Sequence, residues 1–318
     1  MKTIYQLALQ VLAVLVIAGC AEQKLGTISN DQASTESLDV LTLAERAGAP
    51  LFDGMGDYEM PITTEEQDAQ RYFNQGMVLA FAFNHAESIR SFRAAQTLDP
   101  TCAMCFWGEA LAPGPNINVT SKGKVIMSAA EREAAFAALQ KALALKDNAT
   151  LREQAYIEAL ATRYNGDANS DREPLDRAWA QAMGSVAKQY PEDMTAASIY
   201  AESLMNTMPW NYWSDDGIAK PETSSVIESL DRVLAAEPEH PLALHLYIHA
   251  LEASNDPSRA ESAADRLAHL VPGAGHLVHM PSHIYYRIGR YNDAAAANQR
   301  AADVDEAYIA ACNAQGFY

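Results

Sequence analysis

The sequence predicts an all-α chain built from stacked helical hairpins. Three observations carry that expectation. Ala-rich stretches with few β-branched runs favour helix along most of the chain, and with 49% of its residues hydrophobic it can bury a sizeable core. A histidine pair, His245 and His249, recurs as His279 and His283 at a step of 34 residues, and Pro238 recurs as Pro272 at the same step. A 34-residue period is the length of one helix–turn–helix unit. Finally, Tyr72, Gly76, Phe92, Ala95 and Pro100 fall at the intervals such a unit requires of its small and bulky positions.

Taken in order, the chain opens on an export signal. Met1-Lys2 is basic, and Leu7 to Ala18 is apolar apart from Gln10, which is too short for a comfortable membrane span. Ile17-Ala18-Gly19-Cys20 resembles a bacterial lipobox, which implies a signal peptide over residues 1–19 and a lipid on Cys20. Ala21 after that cysteine, by resemblance to sorted lipoproteins, implies the outer membrane, with the protein facing the periplasm. The polar stretch from Ala21 to about Ala49 reads as a flexible tether, and residues 20–60 as tether plus entry segment. Gly54, Gly56 and Pro61 punctuate the entry into a folded part over residues 61–318.

That folded part reads as a tetratricopeptide-like (TPR-like) α-solenoid, a right-handed superhelix. The first unit spans Tyr72 to Pro100, with Gln75 and Ser88 as departures from the usual pattern. A second begins near Ala103, is interrupted by Gly114-Pro115-Asn116-Ile117-Asn118, and resumes as a helix over Ser128–Leu145. Further helices are predicted over Thr150–Tyr164, Leu175–Tyr190, Pro191–Met208 and Ser224–Glu237, with an aromatic loop at Pro209–Trp213 that either packs or meets a ligand. The last two units run from Pro241 to Pro272 and through Gly289-Arg290-Tyr291 to Ala301. A segment over Val304–Ala314 then reads as the first helix of another unit. It lacks its partner, so the chain reads as C-terminally truncated.

Seven of the eight histidines lie between His240 and His283. Residues four apart on a helix share a face. In TPR units the second, fifth, ninth and twelfth positions of the first helix line the concave groove. Counting from Pro241 and Gly275, these positions hold His245, His249, His276, His279 and His283, with Glu252 at a twelfth position. Neutral imidazoles suit a transition metal such as Zn, Cu or Fe. The bland alternative, histidines satisfied by packing or a solvated groove, stays open. Pro281 either kinks its helix or starts it, leaving His276 and His279 in the entry to that helix. His240 is a marginal candidate, and His269 falls on a second helix, away from the groove.

Cys102 and Cys105 follow Asp99-Pro100 at a helix start. A local disulfide, a metal site and inert thiols all remain open for them. His85, Asn116, Asn118 and Trp107 read more readily as packing or loop-ordering residues than as ligand contacts. Nothing resembles a phosphate loop, a dinucleotide fingerprint or a nucleophile elbow. A formal charge of −18 argues against nucleic acid as a partner.

Several stretches together resemble bacterial TPR-repeat lipoproteins of poorly defined function. They are Pro61-Ile62-Thr63-Thr64, Phe83-Asn84-His85-Ala86-Glu87, Cys102-Ala103-Met104-Cys105-Phe106-Trp107-Gly108, Gly114-Pro115-Asn116-Ile117-Asn118, and His276-Leu277-Val278-His279-Met280-Pro281-Ser282-His283-Ile284-Tyr285. The likeness covers about Pro50 to the end and implies the fold without supplying a reaction. Tyr58-Glu59 stands where relatives often place histidine. The expected function is a membrane-anchored scaffold whose concave groove binds a protein or ligand and holds a transition metal. A metal-dependent enzyme with Glu252 as acid or base, and a metal-free protein–protein adaptor, are the alternatives.

Overall fold

A computed structural model describes residues 41–118 and 127–312. Among these the chain is all-helical, with no strand. The helices are α1 (Leu43–Ala47), α2 (Gln67–Phe81), α3 (His85–Leu98), α4 (Ala103–Leu111), α5 (Ala129–Leu145), α6 (Leu151–Ala161), α7 (Arg172–Gln189), α8 (Met194–Thr207), α9 (Pro221–Ala236), α10 (Pro241–Leu251), α11 (Glu261–Leu270), α12 (Gly275–His279), α13 (Pro281–Arg287) and α14 (Tyr291–Cys312). None is long and apolar enough to cross a membrane. The signal segment, Cys20 and the last six residues lie outside the described residues.

Local chemistry sets the helix starts. Ser128 and Thr150 close capping boxes with Glu131 and Glu153. Asp171 and Asp193 cap α7 and α8 through their carboxylates. Pro221 and Pro241 occupy first-turn positions, where a missing N–H costs nothing.

From α2 onward each long helix packs on its neighbours in sequence. Two glycines permit the tightest approach. A Cβ on Gly76 of α2 or Gly108 of α4 would sit 2.7 or 2.3 Å from the Phe92 ring of α3. The core is continuous, from Phe73 and Phe92 through Trp107, Tyr156 and Trp179 to Leu246 and Leu277.

The entry segment crosses many of these helices. The Phe52 amide donates to Gln75 of α2 at 2.7 Å, and the Gly54 carbonyl accepts from the Gly273 amide at 2.8 Å. The Tyr58 hydroxyl is 2.8 Å from Thr195 of α8, and the Tyr58 ring meets His240 edge-on. Thr63 donates twice to Glu153 of α6, each at 2.6 Å. At the other end Tyr308 of α14 donates to the buried Glu87 of α3 at 3.0 Å. Helix α10 also packs on α2.

Two details differ from the sequence reading. A tether reaching Ala49 is expected, yet α1 begins at Leu43 and buries Ala47 and Ala49. Thr42 and Glu45 form a capping box, and Gly48 ends the helix in the left-handed region at φ 73°. A break is expected before Val304, yet α14 runs unbroken through it. No glycine or proline lies between Tyr291 and Cys312 to stop it. Pro281 starts α13, one of the two outcomes the sequence offers for it, and so separates α13 from α12. Met280 keeps helical angles, and the His283 amide donates to its carbonyl.

Candidate metal centre

Every residue of α10 from Pro241 to Leu251 is buried. Its four-residue step places His245 and His249 on one face, ring centroids 4.9 Å apart. Helix α12 lays His276 against them, with its Nε2 3.1 Å from His245 Nε2. One ring nitrogen from each of His245, His249 and His276 lies within 4.8 Å of the others. A tetrahedral ion at about 2.0–2.1 Å from each nitrogen would set its ligands about 3.3 Å apart. The three rings stand close enough to close on one ion through small side-chain rotations.

Hydrogen bonds on the far nitrogens fix which atoms are free to ligate. His245 Nδ1 lies 2.7 Å from the Phe81 carbonyl oxygen. A carbonyl only accepts, so Nδ1 carries the proton and neutral His245 presents a bare Nε2. His249 Nδ1 donates likewise to Glu252 Oε1 at 2.8 Å. That leaves His249 Nε2 buried with no hydrogen-bond partner. A buried acceptor left unsatisfied costs about 1–3 kcal/mol. Ligand histidines are commonly held in this way, by a carbonyl or carboxylate on the opposite nitrogen.

Burial keeps the rings neutral. Desolvation and then neighbouring imidazoles hold His245 and His276 well below the usual histidine range. Burial also lowers His249 and His279, against the opposing pull of Glu252 and of Asn298. Burial alone would raise the Glu252 carboxyl, but hydrogen bonds from His249 and His283 outweigh it and bring it to about 2. Both Glu252 oxygens accept from imidazole, Oε1 from His249 and Oε2 from His283 at 2.7 Å. Glu252 thus holds two rings in place through its two oxygens.

Two aromatic residues wall the triad. Phe83 lies 4.7 Å from His245 and 5.1 Å from His276 between ring centroids. Trp210 meets His249 edge-on at 5.2 Å. They are the two described non-glycine residues with positive φ, 57° and 58°. That conformation is costly for bulky side chains and concentrates at ligand sites. From the sequence Phe83 has no assigned role. Its signal is an aromatic residue at the α2–α3 turn, where glycine or asparagine would be relaxed. The Trp210 loop packs on the helices: Tyr212 is buried, Trp213 donates to the Ala250 carbonyl, and Trp210 meets His249.

The remaining candidates fall elsewhere. His279 and His283 form a pair of their own, with Nε2 atoms 3.0 Å apart. His240 caps α10 and bonds Thr195, and burial lowers it to about 4. His85 bridges the Ala112 carbonyl and the Asn116 amide, and His269 is exposed on α11. The Asn116 side chain accepts from the Asn118 amide, which orders that loop, and Trp107 is fully buried on the Tyr156 carbonyl. Cys102 and Cys105 are joined in a buried disulfide at the start of α4. A cavity of about 400 Å³, lined by Phe52, Met55, Leu79 and Tyr308 among others, reaches His276. No protein-family model matches the chain, and no curated protein sequence matches it.

Proposed function

We propose that this protein is a transition-metal-binding TPR-type solenoid, held at the outer membrane of a bacterium by a lipid on Cys20. His245, His249 and His276 would hold the ion, with Zn, Cu or Fe as the metals that suit three imidazoles. The observation that carries the reading is the buried, unpartnered Nε2 of His249, set beside the bare Nε2 of His245. The 34-residue recurrence of histidines and prolines supports the TPR arrangement, and the lipobox-like Ile17–Cys20 supports the anchor. A protein or ligand bound in the groove would meet the ion beside Trp210 and Phe83.

A second reading, a metal-dependent enzyme, is favoured by one feature. Three protein ligands leave a coordination position open, and the cavity beside His276 offers a route to it. A metal-free adaptor role is the rival to both.

The test is elemental analysis of full-length protein purified without a histidine tag, before and after exposure to Zn²⁺. Bound metal is expected, with the triad's share lost in His245→Ala/His249→Ala. Protein that stays metal-free under excess Zn²⁺ overturns the metal reading and leaves the adaptor. Exchangeable water on the bound ion would favour the enzyme.

A further inference from the structure

The clustered histidines divide into the triad and a separate pair. His279 on α12 and His283 on α13 face each other across Met280 and Pro281, with Nε2 atoms 3.0 Å apart. Their other nitrogens are committed. His283 Nδ1 lies 2.7 Å from Glu252 Oε2, and His279 Nδ1 lies 2.5 Å from Asn298 Oδ1. Both partners are acceptor oxygens, so both Nδ1 atoms carry protons. The two Nε2 atoms then turn lone pairs toward each other at hydrogen-bond distance. Two such lone pairs repel unless a cation lies between them.

We propose that His279 and His283 form a second metal site, so that the protein holds two ions. The proposal rests on the triad being a metal centre, and deepens it. Glu252 joins the sites. One oxygen fixes the His249 ring of the triad and the other fixes the His283 ring of the pair. The rings adjoin as well, with centroids 5.5 Å apart for His249 and His283, and 6.1 Å for His276 and His279. Two nitrogens leave the second ion several open positions. It would exchange faster than the first and take small oxygen ligands such as water or carboxylate.

The experiment loads untagged full-length protein with Zn²⁺, removes the excess, and counts zinc per chain. Calorimetric titration follows each site. The wild type is expected to hold two ions, and His279→Asn/His283→Asn one. Glu252→Gln is expected to weaken both sites about 10–100-fold, because both lose an orienting carboxylate. One ion in both wild type and double variant means the pair shares a proton instead, which overturns the second site and leaves the triad. No zinc in the wild type overturns both. Circular dichroism on each variant confirms folding, and the wild-type count decides the matter even where a variant misfolds.

Discussion

Glu252 accepts hydrogen bonds from two imidazoles and is itself kept ionised by them. His240, on the same helix, shows what a histidine does there without a functional role. Its Nδ1 accepts the Ala243 amide at 3.3 Å, the geometry of an N-cap, and its ring packs under Tyr58. Burial lowers it from 6.5 to about 4. The sign follows directly. Below pH 6.5 the unfolded chain takes up this proton first, so stability present above 6.5 is lost as pH falls toward 4. The loss is on the order of 3 kcal/mol. Asparagine also caps helices but does not titrate. His240→Asn should therefore flatten the acid limb of a urea-midpoint-against-pH plot between those values, and an unchanged limb would refute the assignment. Histidine spacing made His245 and His249 legible from sequence. The acceptors that decide which nitrogen is bare were not legible. Phe81 offers a backbone carbonyl, and that carbonyl lies 164 residues from its histidine in sequence.

At the level of helices, some of the small-against-bulky pairs were legible and the junctions less so. Gly76, read from sequence as a small position, illustrates the first, and Gly108 meets the same ring. Each lies against one face of the Phe92 ring, so α2, α3 and α4 share a single packing point. Gly108→Ala should cost about 1–3 kcal/mol by overpacking, measured by urea unfolding. The cost should shrink in a Phe92→Leu background, where the ring is gone. Glu153 illustrates the second. Its carboxylate accepts from the amide and hydroxyl of Thr150, closing a capping box, and from the amide and hydroxyl of Thr63. The capping box is readable as Thr-x-x-Glu, but the contact to Thr63 is not. Glu153→Ala should lower stability by about 2–4 kcal/mol, since two charged hydrogen bonds to Thr63 are lost in addition to the cap. That exceeds the roughly 1 kcal/mol expected of a cap alone. Pro281 likewise divides the histidine run, leaving His276 and His279 on α12 and His283 on α13.

Across the whole molecule, the entry segment ties distant helices together. An open array has contacts only between adjacent units and can unfold piecemeal. Here residues 52–63 bond to α2, α6, α8 and the approach to α12, so helices far apart in sequence are held by one segment. Urea unfolding should therefore give one transition, with far-UV circular dichroism and tryptophan fluorescence coinciding. Gly54→Val should separate the two probes. Gly54 has φ 77°, and a Cβ there would lie 2.9 Å from the Gly273 amide. A strap of this sort leaves no periodic mark in sequence, because each residue in it answers to a different helix.

The strap also dictates an order of events. The Tyr308–Glu87 bond spans 221 residues, and the Gly54–Gly273 bond nearly as many. Contacts of such separation form late, after the helices they join. The triad draws on α10 and α12 and leans on the Phe81 carbonyl of α2, so it is complete only once that closure is made. An ion captured there would act as a latch on a shut door. It should leave the refolding rate unchanged and slow only the escape from the folded state.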